Sequence, residues 1–201
     1  MNLPNKISLT RICMIPVFVL VFFLDGVLPF NYGIAAIIFV VAALTDFLDG
    51  HIARSRGLVT NLGKFLDPIA DKVLVATAMV LLLTMRDNLF ALFGDFSFVV
   101  YVIATISVCV ILARELIISA FRQIAAASGI IMAAEKLGKY KTACQDAAIF
   151  VLIFSASLPA MLAFLFAVIG FALFAIATVL TVWSGIAYVV KNKQVLQDTE
   201  M

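Results

Sequence analysis

The sequence predicts an all-α integral membrane protein of six transmembrane helices, and three observations carry that expectation. Of 201 residues, 65% are hydrophobic and only 13% charged, with a mean hydropathy of +1.18; a soluble domain carries about a quarter charged residues. The apolar runs are continuous, whereas a barrel strand alternates apolar and polar residues. The interruptions are short clusters of Gly, Pro and charge, spaced so that each run can cross a bilayer. A net charge of +2 is too small to argue for a nucleic-acid partner. Cys13, Cys109 and Cys144 lie far apart, form no ligand-like spacing, and read as small apolar packing residues.

The elements run in order within one domain, 1–201. Residues 1–7 form a polar lead with no cleavage-site pattern after the first apolar run, and Ser8 or Thr10 can cap the first helix. The first span runs to about Leu24 and is broken by Asp25-Gly26 and Pro29. A second begins near Tyr32, is charge-free to Thr45, and ends at Arg56-Gly57. The third starts at Thr60-Asn61 and continues to about Met85, with a polar link after it (Arg86-Asp87-Asn88, then Gly94-Asp95). Span four runs from about Phe96 past Arg114 to a break at Ser128-Gly129. Ala147 to Val190 is charge-free, about 44 residues, enough for two spans of about 20 with a turn at Ser155–Pro159. A polar tail, Lys191 to Met201, closes the chain.

Basic residues orient these spans. With the amino end in the cytoplasm, Lys6, Arg11, Arg54, Arg56, Lys64, Lys72, Arg114, Arg122, Lys136, Lys139, Lys141, Lys191 and Lys193 all fall inside, and only Arg86 falls outside. Both termini are therefore expected in the cytoplasm of a multi-pass cell-membrane protein. Runs of about 12 to 14 charge-free residues separate the outer ends from Arg11, Asp46, Asp71 and Asp146. At about 1.5 Å per residue these groups share one depth, roughly 20 Å into a roughly 30 Å core. Charge at that depth needs a wet, protein-enclosed cavity. The expectation is a polar chamber open to the cytoplasm, with apolar helix faces that admit membrane lipid from the side.

The centre of that chamber is a run of acids. Asp46 and Asp49 are three apart and share one helix face; Asp67 and Asp71 are four apart and share another, with Gly63 one turn before them. Facing pairs of carboxylates on two helices describe a site for hard divalent cations, and two such ions suit a displacement at phosphorus. Gly50, Ala53 and Gly63 lack bulk, so a nucleotide or a neighbouring helix can approach the backbone there. Arg54, two turns beyond Asp46, can pair with a diphosphate. His51 stands at an unspecified position and reads as solvated or packing, not as a ligand.

The full spacing, D-x-x-D-G-x-x-A-R, eight residues, then G-x-x-x-D-x-x-x-D, resembles the signature of the CDP-alcohol phosphatidyltransferases, and every specified position matches. The resemblance implies a six-helix membrane fold, a homodimer, and a site facing the cytoplasm. It implies that Asp46, Asp49 and Asp67 bind metal, magnesium with manganese as the alternative, while Asp71 is both a further ligand and the general base. It implies that Asp46, Gly50, Ala53, Arg54, Gly63 and Asp67 form the CDP-diacylglycerol site.

The acceptor is the remaining choice. Asn2–Arg11 and Ala113–Ile117 resemble the members of that family whose acceptor is glycerol 3-phosphate. A basic cluster of Arg114, Arg122, Lys136, Lys139 and Lys141 also suits a phosphomonoester dianion better than a neutral alcohol. Arg114, Lys139 and Lys141 are the candidate acceptor-phosphate residues; Arg122 and Lys136 read as ordinary positive-inside charge. Inositol phosphate is the neighbouring alternative. A cation-coupled transporter using midplane carboxylates is the remote one, although no inverted repeat is visible.

Overall fold

A computed structural model describes the backbone over residues 3–56, 61–127 and 136–192, and side chains over 9–45, 69–126 and 137–192. Among the described residues there are six α-helices: α1 (Leu3–Phe22), α2 (Asn31–Arg56), α3 (Asn61–Thr84), α4 (Ser97–Ala127), α5 (Lys136–Ser155) and α6 (Ala160–Lys191). A short 3-10 helix, Phe90–Phe96, precedes α4, and no strand is present among the described residues.

Each helix buries a stripe at helical spacing. On α2 the stripe is Ala35, Ala36, Phe39 and Ala42; on α4 it is Ala104, Val108, Ile111, Ile118, Phe121 and Ala125. The α6 stripe is made almost wholly of small residues, Ala163, Ala167, Gly170, Ala177, Thr181, Ser184 and Gly185, with Phe174 and Tyr188. Small side chains let helix axes approach closely where lipid removes the hydrophobic drive for association. At Gly170 the approach is extreme, since a Cβ there would stand 2.7 Å from Leu152 Cγ and Cδ2. The packing closes a ring in the order α1, α2, α5, α6, α4, α3, with α3 also touching α2 and α5.

The outward surface is apolar. Large residues such as Leu20, Ile37, Val80, Ile103, Ile106, Leu116, Val179 and Trp183 are exposed, as suits a protein solvated by lipid chains. Two helical stretches, Phe90–Ala126 and Ala160–Lys191, are each long and apolar enough to cross a membrane.

One end of the bundle is tied by short turns. Asn31 Nδ2 donates to the Phe22 carbonyl at 2.9 Å, satisfying an open acceptor at the end of α1. Asn88 Nδ2 donates to Tyr32 Oη at 2.7 Å, joining the α3 exit to the α2 start.

Two sequence expectations shift. The link after α3 is not simply polar: Phe90 is buried against Tyr101 and Phe171, and Phe93 meets Phe164 and Phe171, so aromatic rings anchor the 3-10 turn. Helix α6 continues through Lys191 rather than ending before it, while Lys139 and Lys141 lie within α5, which is described from Lys136 onward. The expected break at Ser128-Gly129 and the tail from Lys193 lie outside the described residues.

Candidate active site

The acidic motif occupies the ends of two helices at the bundle end away from those turns. Asp46, Asp49, Gly50, Ala53 and Arg54 fall in the last three turns of α2, and Gly63, Asp67 and Asp71 in the first three of α3. Because both segments are helical, each aspartate pair stands one turn apart on its helix. The side chains of Asp46, Asp49, Gly50, His51, Ala53, Arg54, Gly63 and Asp67 lie outside the described residues; Asp71 is half-buried.

Arg11 enters this end from α1. It is fully buried, and its Nε donates to Thr45 Oγ1 at 3.3 Å, one residue before Asp46. Thr45 in turn donates to the Ala42 carbonyl at 2.6 Å, which holds its oxygen toward α1. Asp146, the fourth group expected at this depth, is half-buried on α5 beside fully buried Gln145.

A second cluster gathers residues of α3, α4, α5 and α6. Glu115 Oε1 accepts from Arg114 Nη1 at 3.0 Å and from Lys141 Nζ at 2.5 Å. Arg114 Nη2 donates to Ser184 Oγ on α6 at 3.0 Å, while its Nε is buried with no acceptor among the described residues. Lys72, next to Asp71 on α3, donates to Ser119 Oγ, which donates to the Glu115 carbonyl. Lys72 lies within electrostatic range of Glu115, Asp71, Arg122 and Lys141. Arg122 is held apart by Tyr188: its Nε donates to the phenol oxygen at 3.1 Å and its guanidinium stands 5.2 Å from the ring centroid.

Of the candidate acceptor residues, Arg114 and Lys141 thus converge on one carboxylate oxygen. Lys139 does not join them; it is exposed, two residues from Lys141 on α5, so the helical period turns it to another face. Sequence reasoning passed over Glu115, Lys72 and Ser184. Glu115 had a visible signal, a carboxylate beside Arg114 in an apolar span, whereas Ser184 had none, because a lone serine in a small-residue stripe looks like packing. The cysteines are free, with Cys13 and Cys109 exposed and Cys144 half-buried.

Helix pairs bearing the acidic signature, next to a buried cationic cluster, define a class: the chain belongs to the CDP-alcohol phosphatidyltransferase family, whose model matches residues 1–183. Among similar proteins is the CDP-diacylglycerol–glycerol-3-phosphate 3-phosphatidyltransferase of Bacillus subtilis (strain 168), 36% identical over 207 residues, covering 98% of this chain and 97% of the relative. Proteins of the same name from Salmonella typhimurium (strain LT2) and Rickettsia typhi (strain Wilmington) are 38% and 35% identical. They cover 93% of this chain in each case and 92% and 94% of the relatives.

Proposed function

We propose that this protein transfers the phosphatidyl group of CDP-diacylglycerol to glycerol 3-phosphate, giving phosphatidylglycerophosphate and CMP. The family, the name shared by its relatives and the intact acidic signature support the chemistry. The observation that carries the acceptor is the convergence of Arg114 and Lys141, joined to Lys72 through Ser119, one residue from Asp71. A phosphomonoester seated there would bring its hydroxyl toward the acidic motif.

The motif's donor set fits divalent cations: four carboxylates in pairs one turn apart on two helices, oxygen ligands throughout. Asp46, Asp49, Asp67 and Asp71 would hold two magnesium ions, with manganese the alternative. When bound, such ions supply neutralisation of the charge on the CDP diphosphate as CMP departs. Gly50, Ala53 and Gly63 leave room for the nucleotide, and Arg54 pairs with its diphosphate. Asp71 takes the proton of the acceptor hydroxyl. The acceptor oxygen bonds to the lipid-side phosphorus as the bond from this phosphorus to the bridging oxygen breaks, and CMP carries the bridging oxygen away.

The accompanying architecture is a single domain of six spans in the cell membrane, both termini and the active site cytoplasmic, assembled as a homodimer. Helix number, the apolar outer surface and the one-sided distribution of basic residues support the spans and their orientation, and the homodimer rests on the family resemblance.

The test is CMP release by purified protein in detergent with CDP-diacylglycerol and magnesium, offering glycerol 3-phosphate, inositol phosphate and serine separately. Turnover with glycerol 3-phosphate alone is expected. Turnover with inositol phosphate or serine instead would keep the phosphatidyl transfer and overturn the acceptor. No turnover in folded protein would overturn the enzyme reading.

A further inference from the structure

The cationic cluster already contains an anion. Glu115 Oε1 sits between Arg114 and Lys141, taking a bond from each, in the place that a phosphate oxygen would take between the same two groups. The three side chains differ in access: Glu115 is 25% exposed, Arg114 17% and Lys141 5%. The carboxylate is therefore the most accessible group of the three. Its partners are anchored independently of it, since Arg114 also donates to Ser184 and its stem lies against Gly185. Lys141 is buried in the α5 stripe that includes Gln145 and Ile149.

Charge supports the same reading. Lys72, Arg114 and Lys141 against Glu115 leave two net positive charges, and including the neighbouring Arg122 and Asp71 leaves that number unchanged. A phosphomonoester near pH 7 carries about two negative charges. A dianion therefore neutralises the cluster with Glu115 still ionised, whereas a neutral hydroxyl compound brings no charge to compete for Arg114 and Lys141.

We infer that Glu115 is the acceptor-selecting residue: it holds the seat of the acceptor phosphate between Arg114 and Lys141, and a phosphomonoester dianion displaces it. This rests on the proposed use of glycerol 3-phosphate at that cluster. Glu115 is a competitor for the cations rather than a ligand of the substrate, and the two roles predict opposite signs.

The experiment compares wild-type, Glu115→Gln and Lys141→Ala proteins in detergent, measuring the KM for glycerol 3-phosphate and competitive inhibition by inorganic phosphate. Glu115→Gln removes the competing charge, so both the KM and the phosphate inhibition constant should fall, by about 3- to 10-fold. The KM for CDP-diacylglycerol should stay within about twofold, a split that a general structural defect would not produce. Glu115→Asp, which keeps the charge on a shorter arm, serves if the glutamine form does not fold; its KM should also fall, because the carboxylate no longer reaches Lys141. A raised acceptor KM in the folded Glu115 variants, with Lys141→Ala raised as well, would overturn this inference alone and make Glu115 a support for the cations. An acceptor KM unmoved by Lys141→Ala would overturn the phosphate seat itself, and this inference with it.

Discussion

The Arg114 side chain crosses Gly185 so closely that a Cβ at that glycine would stand 3.1 Å from Arg114 Cγ and 3.2 Å from Nε. The glycine in α6 thus sets the path of a guanidinium carried by α4. Gly185→Ala forces Arg114 to give by a few tenths of an ångström while Glu115 and Ser184 hold its tip. The acceptor KM should rise about 3- to 10-fold, because small misplacements of a substrate-binding group are costly. Steady-state kinetics with each substrate varied in turn checks this; an unchanged acceptor KM would separate Arg114 from the acceptor.

Arg114 itself offers the larger effect. Arg114→Ala removes the donor to Glu115 and the bond to Ser184, and should raise the acceptor KM far more than that for CDP-diacylglycerol. Ser184→Ala deletes one hydrogen bond to a charged group and should show a smaller shift of the same kind, about 1.5–3 kcal/mol at most. Equal effects on both substrates would place this pair outside the acceptor site.

Asp71 is the candidate base. Asp71→Asn should abolish turnover while CDP-diacylglycerol binding remains measurable, since three motif carboxylates are kept. A binding isotherm for CDP-diacylglycerol with magnesium distinguishes the roles: binding lost along with turnover would make Asp71 mainly a ligand. Chelation of divalent ions should abolish turnover in the wild type, and adding magnesium should restore it.

Arg11 is buried with its Nε on Thr45 Oγ1, which links α1 to the turn that starts the acidic motif. Thr45→Val keeps the shape but removes that acceptor, and losing one hydrogen bond to a buried charged group should cost about 1.5–3 kcal/mol. Thermal unfolding in detergent measures the stability change, and the KM for CDP-diacylglycerol reports whether the motif moved with it. A Tm equal to wild type would show that Thr45 contributes nothing to holding Arg11.

Gly170→Ala tests the closest helix contact. Its Cβ would stand 2.7 Å from Leu152, well inside contact distance, so overpacking should destabilise the α5–α6 pair by about 1–3 kcal/mol. Adding Leu152→Ala should recover part of the loss, since the clashing atoms are then gone. A double variant no more stable than the worse single one would put the strain elsewhere.

Much of the fold was legible because the helix boundaries coincide with groups that break helices or resist burial. Asp25-Gly26 and Pro29 separate α1 from α2, and the turn at Ser155–Pro159 lies where α5 gives way to α6. The 3-10 turn was not legible: its Phe90 and Phe93 are apolar like the spans around them, and only their contacts with Tyr101, Phe164 and Phe171 distinguish anchor from helix.

For the site the division is similar. The chain by itself determined the acidic motif, since Asp46, Asp49, Asp67 and Asp71 lie at short spacings that a helix converts directly into shared faces. It also determined that Arg11 and Arg114 need a protected setting, because isolated charge in an apolar span is costly. Only the tertiary structure decided how the basic residues divide: Arg114 and Lys141 meet on Glu115, Arg122 turns to Tyr188, and Lys139 points elsewhere. The Lys141–Glu115 and Arg122–Tyr188 contacts join residues 26 and 66 positions apart. They depend on the angular phase of three packed helices, which local spacing does not encode.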